Sequence, residues 1–193
     1  MSQPVFYYDL TDPFSYLAAE RITAALSVVA EWEPVWAGAL DLRVGAIGDG
    51  VDLGELDRHR IAARAQELGL QPLRWPPRHD GGGHAAALAA TYAKQVGRVV
   101  GFSFAAFRQA FAGGHDLDQE STVLLAGAAC ELHPRALLQA LTRPAIATAL
   151  AQACDRARRA GVTELPAVQL GDSVFTGDQA VEQAAAVISV ARR

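Results

Sequence analysis

The chain has 193 residues, 51% hydrophobic and 20% charged, with a formal net charge of −4. This composition supports a folded core and argues against disorder, and the acidic balance leaves no cationic surplus for a general nucleic-acid binder. No apolar run is long enough to cross a bilayer, so no membrane role is expected.

The first residues lack a basic segment followed by an apolar one, which predicts a cytoplasmic protein. Val5 to Tyr8 are β-branched and aromatic and predict a buried strand. Leu17, Ala18, Ile22, Ala25 and Leu26 then recur at helical spacing. Asp12 stands where an N-cap belongs, and Pro13 suits the first helical position. Such a turn aims free backbone N–H groups and a positive dipole end at its contents, a geometry suited to an anion, a thiolate or a negatively charged substrate. Capping alone also accounts for an Asp before a Pro. The position of the turn after the first strand, where open α/β sheets bind ligands, favours a functional reading.

Residues 27–36 alternate as a second strand broken at Pro34, and Ala37 to Gly54 read as a Gly- and Asp-rich loop with room for a short helix. Leu56 to Leu68 return to helical spacing and stop at Gly69. Arg58, Arg60 and Arg64 alternate with acids there and predict a solvated face. Leu70 to Pro77 are extended by prolines, and Asp80 to Gly83 mark a hinge or loop tip. Helices are predicted over 84–96, 99–112, 119–131, 134–141 and 145–160. A strand follows over Glu164–Leu170, then a Gly171-Asp172 hairpin, a strand over Val174–Thr176 and a closing helix capped by Asp178. The order β-α-β, helical block, β-β-α predicts an α/β thioredoxin-like fold with a large all-helical insertion. The core takes residues 1–45 and 160–193, and the inserted helical domain takes 46–159.

Cys130 and Cys154 lie in Ala- and Leu-rich helical patterns outside any Cys-x-x-Cys pair, and predict small buried hydrophobes. His79, Asp80 and His84 lack a further clear ligand beside them, so solvated loop histidines and no metal are expected.

Asp9-Leu10-Thr11-Asp12-Pro13-Phe14-Ser15-Tyr16-Leu17 resembles the Asp-x-x-Ser-Pro-Tyr-Ser-Tyr-Leu signature of 2-hydroxychromene-2-carboxylate isomerases and kappa-class glutathione transferases, within the DsbA-like thioredoxin superfamily. The resemblance continues through residues 34–40, 73–76, 107–111, Asp116-Leu117, Leu165-Pro166 and 175–178, in order and over nearly the whole chain. It implies a cis peptide before Pro166, with the Leu165 backbone turned to a glutathione tripeptide. It also implies a small-molecule substrate, a homodimer, and cofactor contacts from Leu165, Pro166, Asp178 and Gln179. Thr11, Asp12 and Ser15 become the catalytic candidates, and Phe14, Trp36 and Trp75 the aromatic walls for substrate.

Three positions depart from the pattern. Asp12 replaces the serine that steadies the glutathione thiolate, Ala46 replaces an asparagine, and Gly177-Asp178-Gln179-Ala180 replaces a Gly-Ser-Asp-Arg turn. A carboxylate repels a thiolate and raises its pKa, so weak or no glutathione binding is expected. Asp12 suits a general base instead, if burial raises its own pKa. The expected function is therefore an isomerase or transferase acting on a small aromatic or electrophilic substrate. The alternative is a non-catalytic thioredoxin-like binding module. A dithiol oxidoreductase is disfavoured, because the turn holds no cysteine.

Overall fold

The structure, a computed structural model, describes residues 2–40, 43–44, 55–76 and 82–191. Strand β1 (Val5–Tyr8) leads through a tight turn into helix α1 (Pro13–Ala25), which starts at Pro13 as predicted. Strand β2 (Glu31–Pro34) lies parallel to β1, with Val5 opposite Glu31 and Tyr8 opposite Pro34. It is shorter than the sequence alternation predicts. Pairing begins where Glu31 N–H reaches Pro4 O at 2.7 Å, and residues 27–30 form a loop ahead of it. A 3₁₀ turn at Ala37–Ala39 and the two-residue strand β3 (Arg43–Val44) follow.

Helix α2 (Glu55–Glu67) gives way to Gly69 at φ +68°, a left-handed stop that favours glycine. Then come α3 (His84–Gln95), α4 (Val99–Phe111), α5 (Glu120–Ala128), α6 (Pro134–Leu141) and α7 (Pro144–Ala160). The chain closes with β4 (Glu164–Leu165), a cis peptide to Pro166, β5 (Ala167–Leu170), β6 (Ser173–Thr176) and α8 (Ala180–Val190). The main sheet runs β2-β1-β5-β6, with β5 antiparallel to both its neighbours, while β3 and β4 pair in parallel beside it. Both ends of the chain thus meet in one four-stranded sheet.

The alternation of a strand sends successive side chains to opposite faces. Phe6, Tyr8 and Val168 join a core with Leu17 and Ile22 of α1, Ile61 of α2, Phe102 and Phe107 of α4, and Val181 and Ile188 of α8. Tyr7 and Ala167 join a second core with Val35, Leu88, Cys154 and Leu165, closed by Ile146 and Leu150 of α7. The inserted helices therefore share cores with the sheet. Phe107 is the clearest joint: its ring lies 5.8 Å from Tyr8 and 5.9 Å from Tyr16, and Tyr8 Oη lies 2.6 Å from Ser103 Oγ.

One terminus differs from expectation. Helix α8 begins at Ala180 with Gln179 at the N-cap and no side-chain cap, so Asp178 does not close it. The Asp178 carboxylate pairs with Arg21 at 3.3 Å and Arg64 at 3.4 Å instead. Two guanidinium groups out-compete the uncharged N–H donors of a helix start.

Because Phe107 ties helix to sheet, Phe107→Ala is expected to cost about 3–5 kcal/mol. Urea unfolding of this variant should remain a single transition, with tryptophan fluorescence and far-UV circular dichroism coinciding. Two separate transitions would show that the helices hold together without the sheet.

Candidate active site

The site is built on the turn that leaves β1. Tyr7 pairs with Ala167 across the sheet, so Pro166, one residue earlier, lies at the sheet end from which this turn departs. Gly177 N–H donates to Pro166 O at 2.8 Å and holds that corner.

Asp12 is the N-cap of α1 and has no exposed surface. Its Oδ1 accepts from Phe14 N–H at 3.2 Å, and its Oδ2 accepts from Ser15 N–H at 2.8 Å and from Ser15 Oγ at 2.6 Å. Burial pushes its pKa up to about 7; the donors from Ser15 and Phe14 pull the other way, and the charge of Asp9 adds to the rise. The carboxyl group thus exchanges its proton near neutral pH, with a serine hydroxyl at hydrogen-bond distance.

Asp9, also buried, ties the turn to its surroundings. Its Oδ1 accepts from Thr11 N–H and Thr11 Oγ1, both at 2.7 Å, the local pattern of an Asx turn. Its Oδ2 accepts from Ala37 N–H at 2.7 Å. Burial raises the Asp9 pKa, opposed by these same donors. The clamp on Ala37 sets Trp36 beside the turn. The Trp36 indole donates to Gly82 O at 3.1 Å, and its ring lies 4.4 Å from that of His84. Gly83, at φ +73°, packs so closely on Thr11 that a Cβ there would collide with the threonine methyl. Gly83 N–H in turn donates to Asp118 Oδ2 at 3.2 Å.

The structure thus gathers Thr11, Asp12, Ser15 and Trp36. Phe14 is buried in the core with α1, and Trp75 stands apart, edge-on to Phe111 with the Arg58 guanidinium 5.7 Å from its ring centroid. Leu165 is buried, and its strand edge pairs with Val44. Asp178 is engaged by two arginines, and Gln179 is exposed. Ala46, His79 and Asp80 lie outside the described residues, among which no group of three or more metal-ligating side chains gathers. No helix among them is long and apolar enough to cross a membrane. Both cysteines are free thiols whose pKa burial raises, and Cys154 takes an N–H from Trp36 at 3.5 Å.

Sequence reasoning gave no role to Asp9 or Asp118 and read His84 as a solvated loop histidine, whereas it opens α3, is half-buried and packs against the Trp36 ring. Asp9 two residues before Thr11 is a legible Asx pattern. The approach of His84 and Asp118 depends on how α3 docks and carries no local signal.

A four-stranded mixed sheet, a cis proline beside the first βα turn and helices inserted after β2 define a thioredoxin fold of the helix-inserted kind. Residues 5–189 match the family model of the DSBA-like thioredoxin domain, and the chain belongs to that family. It resembles the solved structure of a 2-hydroxychromene-2-carboxylate isomerase, with a TM-score of 0.83 at 18% identity over 100% of this chain and 97% of that one. It also resembles a probable DsbA oxidoreductase from Streptomyces coelicolor (TM-score 0.81, 18% identity, 100% and 90% covered). The cytosolic disulfide reductase DsbM from Pseudomonas aeruginosa, solved with GSH, is similar at a TM-score of 0.66 and 18% identity, with both chains covered completely. At these identities the likeness shows the fold. No curated protein matches the chain in sequence.

The raised Asp12 pKa fixes the sign of a pH effect. Between the unfolded carboxylate value of about 4 and the folded value of about 7, the folded chain binds the extra proton. The contribution of Asp12 to stability is therefore largest at acid pH and falls as pH rises through that window. Asp12→Asn keeps the cap and removes the titration. Its melting temperature relative to wild type is expected to rise from pH 4 to 7 and then level, as calorimetry at stepped pH would show. A difference that is flat or falling over that range contradicts the assignment.

Proposed function

We propose that this protein is an isomerase-type enzyme in which Asp12 moves a proton on a small, enolisable aromatic or electrophilic substrate, without a thiol cofactor. The observation that carries this reading is the position of Asp12, a wholly buried carboxyl at a helix N-terminus in the first βα turn, with a pKa near 7. A general acid–base works best when its pKa is near the working pH. The ionised form takes a proton from the carbon beside an activating carbonyl, and the protonated form returns it at a conjugated position, so no net atom is gained or lost. Ser15, donating to Asp12 Oδ2 at 2.6 Å, orients the carboxyl. Thr11 is only partly buried, with Gly83 packed on it. The Trp36 and His84 rings, 4.4 Å apart beside the turn, are the groups placed to flank a substrate.

The residues present do not fit glutathione. An ionised Asp12 repels a thiolate. The Thr11 hydroxyl is spent on Asp9, and Asp178 is held by Arg21 and Arg64. The similarity to an isomerase structure agrees with the proposed class as fold analogy only.

Turnover of hydroxychromene carboxylates and simple enolisable or electrophilic compounds, with and without added thiol, tests the proposal. Thiol-independent turnover is expected, and Asp12→Asn should lose about 10²- to 10⁴-fold of it with the fold intact. Asp12→Ser restores the hydroxyl of the family pattern and removes the repelling charge, and calorimetric titration should show it gaining affinity for glutathione. No wild-type turnover under either condition, together with no glutathione gain in Asp12→Ser, would favour a binding module.

A further inference from the structure

Trp36 is half-buried, and its main chain is fixed on three sides. Its N–H donates to Cys154 Sγ at 3.5 Å, and its carbonyl accepts from Ala39 N–H at 3.0 Å and from the Cys154 thiol at 3.8 Å. The next N–H, of Ala37, donates to Asp9 Oδ2 at 2.7 Å. Cys154 is itself buried in the core that α7 closes. The Trp36 side chain then folds back over the 3₁₀ turn that follows it. A β-carbon on Gly38 would stand 2.6 Å from Trp36 Cζ2 and 2.7 Å from Cε2, well inside the usual 3.5–4.0 Å contact of two carbons. The indole therefore lies on the bare α-carbon of Gly38, with its N–H on Gly82 O at 3.1 Å and its ring 4.4 Å from that of His84. Gly38 has no left-handed φ, so its backbone accepts a side chain and the ring alone demands glycine here.

We propose that Gly38 is a specificity-determining position. Its missing side chain seats the Trp36 indole as a fixed flat wall beside the Asp12 turn, which selects substrates with a planar aromatic face over saturated ones of similar size. The inference rests on the reading of this turn as an active site. Asp9, Cys154 and Ala39 hold the main chain of residues 36–37 in place. A side chain at position 38 is therefore accommodated by the indole, which swings about its own χ angles off Gly82 and His84. An indole already held in one place stacks on an aromatic ring without a further loss of rotamer freedom. A saturated ring has no π-face to meet it. Gly38 touches no substrate in this arrangement and acts only through Trp36.

The indole N–H resonances of the intact chain test this, the Trp36 signal being the one lost in Trp36→Leu. The probes are two neutral alcohols, 2-naphthol and cyclohexanol, so that charge plays no part. In the wild type, 2-naphthol is expected to shift the Trp36 signal and cyclohexanol to leave it in place. Gly38→Ala should move the Trp36 signal of the free protein, leave those of Trp32 and Trp75 unmoved, and keep circular dichroism and melting temperature unchanged. Its affinity for 2-naphthol, followed on the proton signals of the probe, should fall about tenfold. In a Trp36→Leu background the same substitution should cost nothing further, because the two changes act through one ring. A Trp36 signal that stays in place in Gly38→Ala overturns the proposal. So does a wild type that treats the two probes alike, or an equal loss of affinity in both backgrounds. Binding as expected without turnover of any compound would support the role of Gly38 and count against the proposed catalysis alone.

Discussion

Two carboxyl groups buried within one four-residue turn, Asp9 and Asp12, set the terms for the rest of the site. Each is surrounded by uncharged donors: Thr11 and Ala37 for Asp9, Phe14 and Ser15 for Asp12. Neutral hydrogen bonds offset part of the cost of burying a charge, and the remainder appears as a raised pKa at both residues. The groups do different work. Asp9 spends both oxygens on holding the turn and the chain after β2 together. Asp12 accepts on both oxygens from its own helix and its own serine, and so caps α1. The turn has little room to relax, because Val35 N–H donates to Tyr8 O at 3.0 Å and Tyr16 N–H to Asp12 O at 3.1 Å.

The fold supports this arrangement from two sides. The packing of Phe102 and Phe107 into the same core as Phe6, Tyr8 and Leu17 fixes α4, and with it the neighbouring helices, against the sheet. The start of α3 then meets the turn through three kinds of contact: Gly83 against Thr11, the Trp36 indole on Gly82 O, and the Trp36–His84 ring pair. Aromatic pairs of this kind contribute about 0.5–1.5 kcal/mol beyond their buried area.

Much of this was legible in the sequence wherever the governing interaction is local. The β1–turn–α1 unit follows from β-branched and aromatic residues, an N-cap and a proline within a dozen positions. The bounds of α2 and α6 follow from Gly69 and Pro134 in the same way. The cis peptide before Pro166 came from resemblance, and the structure bears it out. What escaped was set by distance along the chain. Asp178 was read as a cap because its sequence neighbours suggest one, whereas Arg21 and Arg64, far away in sequence, claim its carboxylate. Residues 27–30 alternate like a strand, but β1 offers them no partner. Asp9 is visible locally as an Asx turn, yet its hold on Ala37 appears only when β2 is laid beside β1.

The site turns on Asp12, wholly buried with its pKa raised to about 7. Direct titration of its side-chain carboxyl carbon by NMR, assigned by comparison with Asp12→Asn, tests this without a substrate. A midpoint near 7 is expected, moving downward in Asp9→Asn as the neighbouring negative charge is removed. A midpoint in the ordinary carboxylate range, about 4, would contradict it and leave Asp12 as a helix cap alone.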